Sequence, residues 1–194
     1  MVEPMSNPAP TQELVSEEEY LAADAASDDF RLEYIAGHIF ALAGATKRHV
    51  LIAGNIFARF HAATEQRGCR VYQSDVRLRI GADMRFYPDI IVACAGDFGG
   101  EDPIEETSPT ILVEVLSEST AHRDVGVKLA AYRQIPTLRM YLIVSQSERR
   151  VEVHSRAAGG ALWEHHVVTG SGEIPVPALE TSLSLDQIYA RLER

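Results

Sequence analysis

The chain's 194 residues suffice for one medium domain with a real core, and 46% hydrophobic with 24% charged residues is an ordinary globular balance. A formal net charge of −10 argues against a broad, non-specific nucleic-acid binder, which draws on clustered Lys and Arg, while leaving room for a local basic patch. No apolar run approaches the ~18–20 residues of a membrane span, so no membrane partner is expected.

The opening MVEPMSNPAPTQ lacks a basic-then-apolar leader pattern and reads as a disordered Pro-rich tail over residues 1–15, ahead of a single domain over 16–194. Ser16-Glu17-Glu18-Glu19 forms a capping box that opens a short helix ending near Ala23. Residues 31–36 and 38–43 alternate loosely about Ala36-Gly37, as a β-hairpin does. Ile52, Ile56, Phe60 and Ala63 give residues 48–66 a helical period that stops before Gly68. One long strand is expected over 69–80, with Val76, Leu78 and Ile80 on one face and Asp75, Arg77 and Arg79 on the other. Another follows over 86–94, with Pro88 near its start. The Gly-, Asp-, Glu- and Pro-rich segment 95–109 reads as a mobile loop, a lid being one option. Residues 110–116 are nearly all apolar, as in a central strand covered on both faces. A helix over 121–134, strands over 140–144, 150–154 and 162–168, and a helix over 183–192 opened by Ser184 complete an α/β pattern. Cys69 and Cys94 are too few for a disulfide framework and lack metal-ligand spacing; they read as two reduced thiols of a cytoplasmic protein.

Glu114 is the most informative residue, because it interrupts a stretch otherwise suited to a dry interior. An unpaired buried carboxylate is costly, so a partner Arg, a hydrogen-bond network or a cation must compensate it. Asp89 poses the same problem in Tyr87-Pro88-Asp89-Ile90-Ile91-Val92. Two carboxylates on neighbouring strands repel unless a proton or cation lies between them. Hard oxygen ligands without supporting Cys favour Mg²⁺ or Mn²⁺ over Zn²⁺.

Further features accompany this pair: Glu33 before an Ala-Gly turn, His49 opening a helix, Ser74-Asp75-Val76, and Tyr87-Pro88-Asp89. They continue as Val113-Glu114-Val115-Leu116-Ser117 with Ser119-Thr120, then Lys128, Tyr132 and Tyr141-Leu142-Ile143-Val144. The Pro88-Asp89 and Glu114 elements resemble the PD-(D/E)XK nuclease superfamily, and the full set resembles its bacterial Uma branch across residues 16–194. The resemblance implies a restriction-endonuclease-like fold, a mixed central β-sheet flanked by helices. It implies Mg²⁺ or Mn²⁺ held by Asp89, Glu114 and the main-chain carbonyl of Val115, and phosphodiester hydrolysis by a metal-activated water. A Lys would orient that water or stabilise the transition state. The superfamily places this Lys two residues past the acidic residue, where this chain has Leu116; the Uma branch uses the following helix, which here carries Lys128. The resemblance also implies a homodimer.

Each companion residue has a plainer reading. Lys128 can pair on an exposed helix face with Asp124. Glu33 is either a third carboxylate at the metal or a polar residue on a hairpin face. Asp75 pairs with Arg77 and Arg79 or supports the site, and His49 orients a phosphate, caps its helix or packs. Tyr132 is core, with its hydroxyl at the site edge. His165-His166 lie in a strand, where neighbours face opposite sides and cannot chelate one ion well. Ser117, Ser119, Thr120 and His122 lack a nucleophile-elbow pattern, and Gly99-Gly100 and Gly159-Gly160 lack phosphate-loop spacing. The expectation is a metal-dependent nuclease, with DNA favoured over RNA as the substrate. Its alternatives are a non-catalytic interaction protein that keeps the nuclease fold and a hydrolase of smaller phosphoesters.

Overall fold

The computed structural model describes residues 14–27, 30–42, 44–65, 67–94, 104–116, 124–157 and 159–192. Helix α1 (Glu17–Ala25) begins as its capping box dictates: Ser16 Oγ accepts the Glu19 N–H at 3.2 Å, and the Glu19 carboxylate accepts the Ser16 N–H at 2.8 Å. Strands β1 (Leu32–Ile35) and β2 (His38–Ala41) form the expected hairpin, turning at Ala36 and Gly37 with φ of 47° and 88°. Helix α2 (Lys47–Thr64) buries Ile52, Ala53, Ile56 and Phe60 on one stripe.

The two long strands expected next are each divided. Residues 69–80 yield β3 (Arg70–Gln73) and β4 (Arg77–Ile80), broken where Ser74 takes a positive φ of 64°. Residues 84–93 yield β5 (Met84–Phe86) and β6 (Ile90–Ala93), broken at Tyr87-Pro88-Asp89, where proline has no N–H to donate to a ladder. The breaks lie side by side, with the Ser74 N–H donating to the Asp89 carbonyl at 3.1 Å. One bent antiparallel hairpin therefore serves two sheets.

β7 (Glu105–Glu106), β8 (Ile111–Leu116), β9 (Met140–Ser145), β10 (Arg150–Ser155) and β11 (Glu164–Thr169) complete these sheets, ordered β2-β1-β5-β4-β7 and β11-β10-β9-β8-β6-β3. Both are mixed, through the parallel pairs β4–β7 and β8–β9. The mixed α/β architecture expected is present, built on two mixed sheets with few helices. Within the six-stranded sheet β8 is covered on both faces, which accounts for its continuous apolar run. Ile111, Val113 and Val115 pack with α2, whereas Leu112 packs with Leu78 and Phe86 of the second sheet and with Tyr132.

The helix expected over 121–134 is a π-helical turn over Asp124–Lys128 followed by α3 (Leu129–Tyr132), residues 121–123 lying outside the described set. At the carboxyl end Leu183 and Ser184 belong to a strand: β12 (Glu173–Val176) pairs with β13 (Thr181–Ser184), and only Leu185–Ile188 forms helix α4. The expected tail falls almost wholly outside the described residues, as do residues 95–103 of the segment read as a lid; residues 104–109 are described and include β7. Ser117, Ser119, Thr120 and His122 also lie outside.

The cysteines require a correction. Cys69 and Cys94 form a disulfide, one step beyond the Arg70↔Ala93 pair of β3 and β6. Antiparallel register sets them opposite each other, which their sequence spacing does not display. Among the described residues, no helix is long and apolar enough to cross a membrane.

Candidate metal centre

Asp89 stands at the seam between the sheets, immediately before β6. The β6–β8 register pairs Ile90 with Val113, and one further step sets Asp89 opposite Glu114. Opposite residues of an antiparallel pair share a face. Asp89 Oδ2 accepts the Val115 N–H at 2.7 Å, and Oδ1 lies 2.8 Å from His49 Nε2. The ring of His49 is available because Thr46, not His49, caps α2: Thr46 Oγ1 accepts the His49 N–H at 3.1 Å. Capping, one of the roles expected for His49, is therefore corrected.

Glu114 is buried, and Oε1 accepts from both Lys128 Nζ and the Tyr132 hydroxyl at 2.9 Å each. Lys128 ends the π-helical turn, and Tyr132 follows four residues later, so both point toward one side of the segment. Burial, reinforced by the Glu114 charge, pushes the Tyr132 hydroxyl well above its ordinary pKa and keeps it a donor. Lys128 Nζ also lies 2.9 Å from Glu33 Oε1, and that oxygen accepts the Tyr87 N–H at 3.3 Å. Lys128 is 2% exposed, so it does not stand on an exposed helix face. Glu33, on the β1 strand of the hairpin, is fully buried.

Five of the residues singled out from the sequence, Glu33, Asp89, Glu114, Lys128 and Tyr132, thus gather at one seam, with His49 held on Asp89. Asp75 does not join them. It pairs with Arg31 at 3.0 Å, and its side chain is 73% exposed. Its expected partners are drawn elsewhere: Arg77 to Asp24 and Glu105, and Arg79 to Glu105. Asp75 and Arg31 instead line, with Phe30, Tyr87 and Asp89, a cleft of about 200 Å³ that opens onto the Asp89 side of the cluster. A larger cavity of about 460 Å³ lies at the opposite end of β8, beside Ile111, and is mostly apolar; it holds none of the clustered acids.

The sequence reading missed the support beneath Asp89. Asp24, buried on α1, accepts from the Tyr87 hydroxyl at 2.5 Å, the Leu32 N–H at 3.0 Å and Arg77 at 3.3 Å. This network holds Tyr87, two residues before Asp89, against α1 and β1. Asp24 lies one helical turn after the buried Tyr20, which was the available signal.

Three carboxylates and one lysine leave the cluster two negative charges in excess when His49 is neutral. The donors are hard oxygens, and cross-strand placement aims Asp89 and Glu114 to one side of the sheet. This donor set fits a magnesium-like dication. Glu33, Asp89 and Glu114 do not all lie within 4.8 Å of one another. Lys128 and hydrogen bonds space them as they stand.

Comparisons with known proteins agree with this architecture. The Uma2 family model, described as "Putative restriction endonuclease", matches residues 17–187. The uncharacterized protein sll1609 of Synechocystis is 32% identical over 155 residues, 79% of this chain and 86% of that protein. A second uncharacterized Synechocystis protein, slr1290, is 29% identical over 185 residues, 92% of this chain and 93% of its own length. A crystal structure described as a putative nuclease belonging to DUF820, from Anabaena variabilis, superposes with a TM-score of 0.75 at 20% identity. That match covers 92% of this chain and 99% of the other, and it shows a common fold.

Proposed function

The chain belongs to the Uma2 family, and from that premise we propose that it is a Mg²⁺- or Mn²⁺-dependent endonuclease acting on DNA, with the seam between its sheets as the active site. The observation that carries this reading is Lys128, the only lysine besides Lys47, buried at 2.9 Å from both Glu114 and Glu33. Structural need alone rarely places an ammonium there, because desolvating it is costly.

In this reading Asp89, Glu114 and the Val115 carbonyl hold the ion, which supplies Lewis-acid polarisation of the phosphodiester and a lowered water pKa. His49 and the Val115 N–H orient Asp89, and Tyr132 orients Glu114. Lys128 carries a proton at Nζ beside the acids and neutralises charge that develops on the phosphate. Glu33 holds Lys128 in place through their 2.9 Å ion pair. The nucleic acid reaches the centre through the cleft beside Asp89, where Arg31 offers a guanidinium to its backbone. The protein acts as a homodimer, so that two centres cut two strands.

The test is cleavage of single-stranded, duplex and branched DNA and RNA with Mg²⁺ or Mn²⁺, alongside Glu114→Gln and Asp89→Asn. Activity abolished in both variants supports the reading. Asp89→Asn keeps an acceptor for Val115, so the fold should persist while ion binding measured by calorimetry is lost. Equal ion binding by Asp89→Asn refutes the ligand assignment.

A second reading is favoured by the net charge of −10 and by Leu116 at the superfamily's lysine position. It holds that the protein is a non-catalytic interaction module on the same fold. Glu114-dependent cleavage rules it out. Nucleotides in the same substrate panel expose a preference for small phosphoesters.

A further inference from the structure

We infer that β10 and β11 carry a second metal site, Glu152, His154 and His165, which takes a transition-metal dication of the Zn²⁺, Co²⁺ or Ni²⁺ class. His165 and His166 do face opposite sides of β11, but β10 supplies the partner that β11 lacks. Antiparallel register sets His154 directly opposite His165, with ring centroids 4.4 Å apart and planes at 11°. Glu152 lies two residues before His154 and so shares its face. Its Oε2 is 3.2 Å from His165 Nε2. One ligand atom from each residue lies within 4.8 Å of the other two, the only such His, Cys, Asp or Glu group among the described residues.

Two imidazoles and one carboxylate are the donor set of zinc-class ions, whereas Mg²⁺ prefers an all-oxygen shell. The second observation is at His154, which is 4% exposed yet has no hydrogen-bond partner at Nε2. Its Nδ1 accepts from Arg133 at 3.3 Å, so the neutral ring carries its proton on that unpartnered nitrogen. Ligation through Nδ1 displaces Arg133 directly. Ligation through Nε2 moves the proton to Nδ1, where Arg133 can no longer donate. Either route gives up the Arg133 contact, and Arg133 is exposed and also lies over the Trp163 ring, 5.9 Å from its centroid, which can hold its guanidinium once His154 is ligated. The His165 side chain, 44% exposed, provides the entry and the freedom to rotate out of the ring stack.

The experiment uses the tag-free, full-length protein carrying Asp89→Asn, so that an ion at the seam does not contribute. Co²⁺ is titrated and its ligand-field bands are recorded, with Zn²⁺ and Mg²⁺ as competitors. One equivalent of Co²⁺ is expected, displaced by Zn²⁺ and not by excess Mg²⁺. His165→Ala should weaken it more than about 100-fold, beyond the ~10–100-fold typical of losing an outer-shell partner. Arg133→Gln should tighten it. His165 is exposed, so its alanine variant tests the site without opening the core, and a thermal melt verifies folding. Co²⁺ bound as tightly by folded His165→Ala, or displaced equally by Mg²⁺, overturns the assignment. Neither result bears on the seam, because Asp89 is already replaced.

Discussion

Lys128 Nζ bridges Glu33 and Glu114 at 2.9 Å each, joining the first hairpin to the central strand of the other sheet through one buried ammonium. The bridge carries fold and proposed chemistry together. Removing the cation leaves two buried acids facing each other.

Lys128→Met is therefore expected to destabilise the protein by ~3–5 kcal/mol, the usual cost of breaking a buried pair from one side. Urea denaturation measures it. Mg²⁺ should raise the variant's midpoint more than that of the unaltered protein, because an ion that binds only the folded state restores the missing charge. Equal shifts would count against an ion bound at Glu114 beside Lys128.

Tyr132→Phe keeps the ring that packs edge-on against Phe86 and Tyr141 and removes only the hydrogen bond to Glu114. A hydrogen bond to a charged group contributes ~1.5–3 kcal/mol, so a loss of that size with unchanged secondary structure is expected. In the nuclease reading, cleavage falls further than stability does, because Glu114 loses its orientation.

Alkaline pH should unfold the protein through its tyrosines. Burial raises the hydroxyl pKa of Tyr20, Tyr87, Tyr132 and Tyr189. An unfolded tyrosine ionises near about 10, and these ionise higher in the folded state. Their contribution is intact below about pH 10 and is lost as pH rises above it, because the unfolded chain gives up its protons first. Phenolate absorbance from these four should appear together with loss of circular dichroism. Full ionisation with the fold intact would contradict their burial.

Reducing Cys69–Cys94, whose partners are 25 residues apart, frees a loop of the unfolded chain. A loss of ~3 kcal/mol is expected from loop entropy. Denaturation with and without reductant measures it, with the Cys69→Ser, Cys94→Ser protein as control. The control should match the reduced protein and ignore reductant.

The sequence by itself determined what depends on near neighbours along the chain. The capping box of α1, the stripe of α2 and the Ala36-Gly37 turn were legible because each is decided within one or two turns of backbone. Glu114 was legible for the same reason: apolar neighbours on both sides make a carboxylate there costly whatever the topology. Asp89 and Lys128 were legible as residue types, and the family resemblance supplied their grouping. Tertiary structure alone decided where two strands bend from one sheet into another, because Ser74 and Pro88 interrupt their ladders only in relation to partner strands. It also decided that His49 holds Asp89 from 40 residues away, that Cys69 meets Cys94, and that His154 faces His165. Those are facts of register and packing. A spacing pattern can show that a residue needs a partner, but strand pairing and helix placement choose which one it meets.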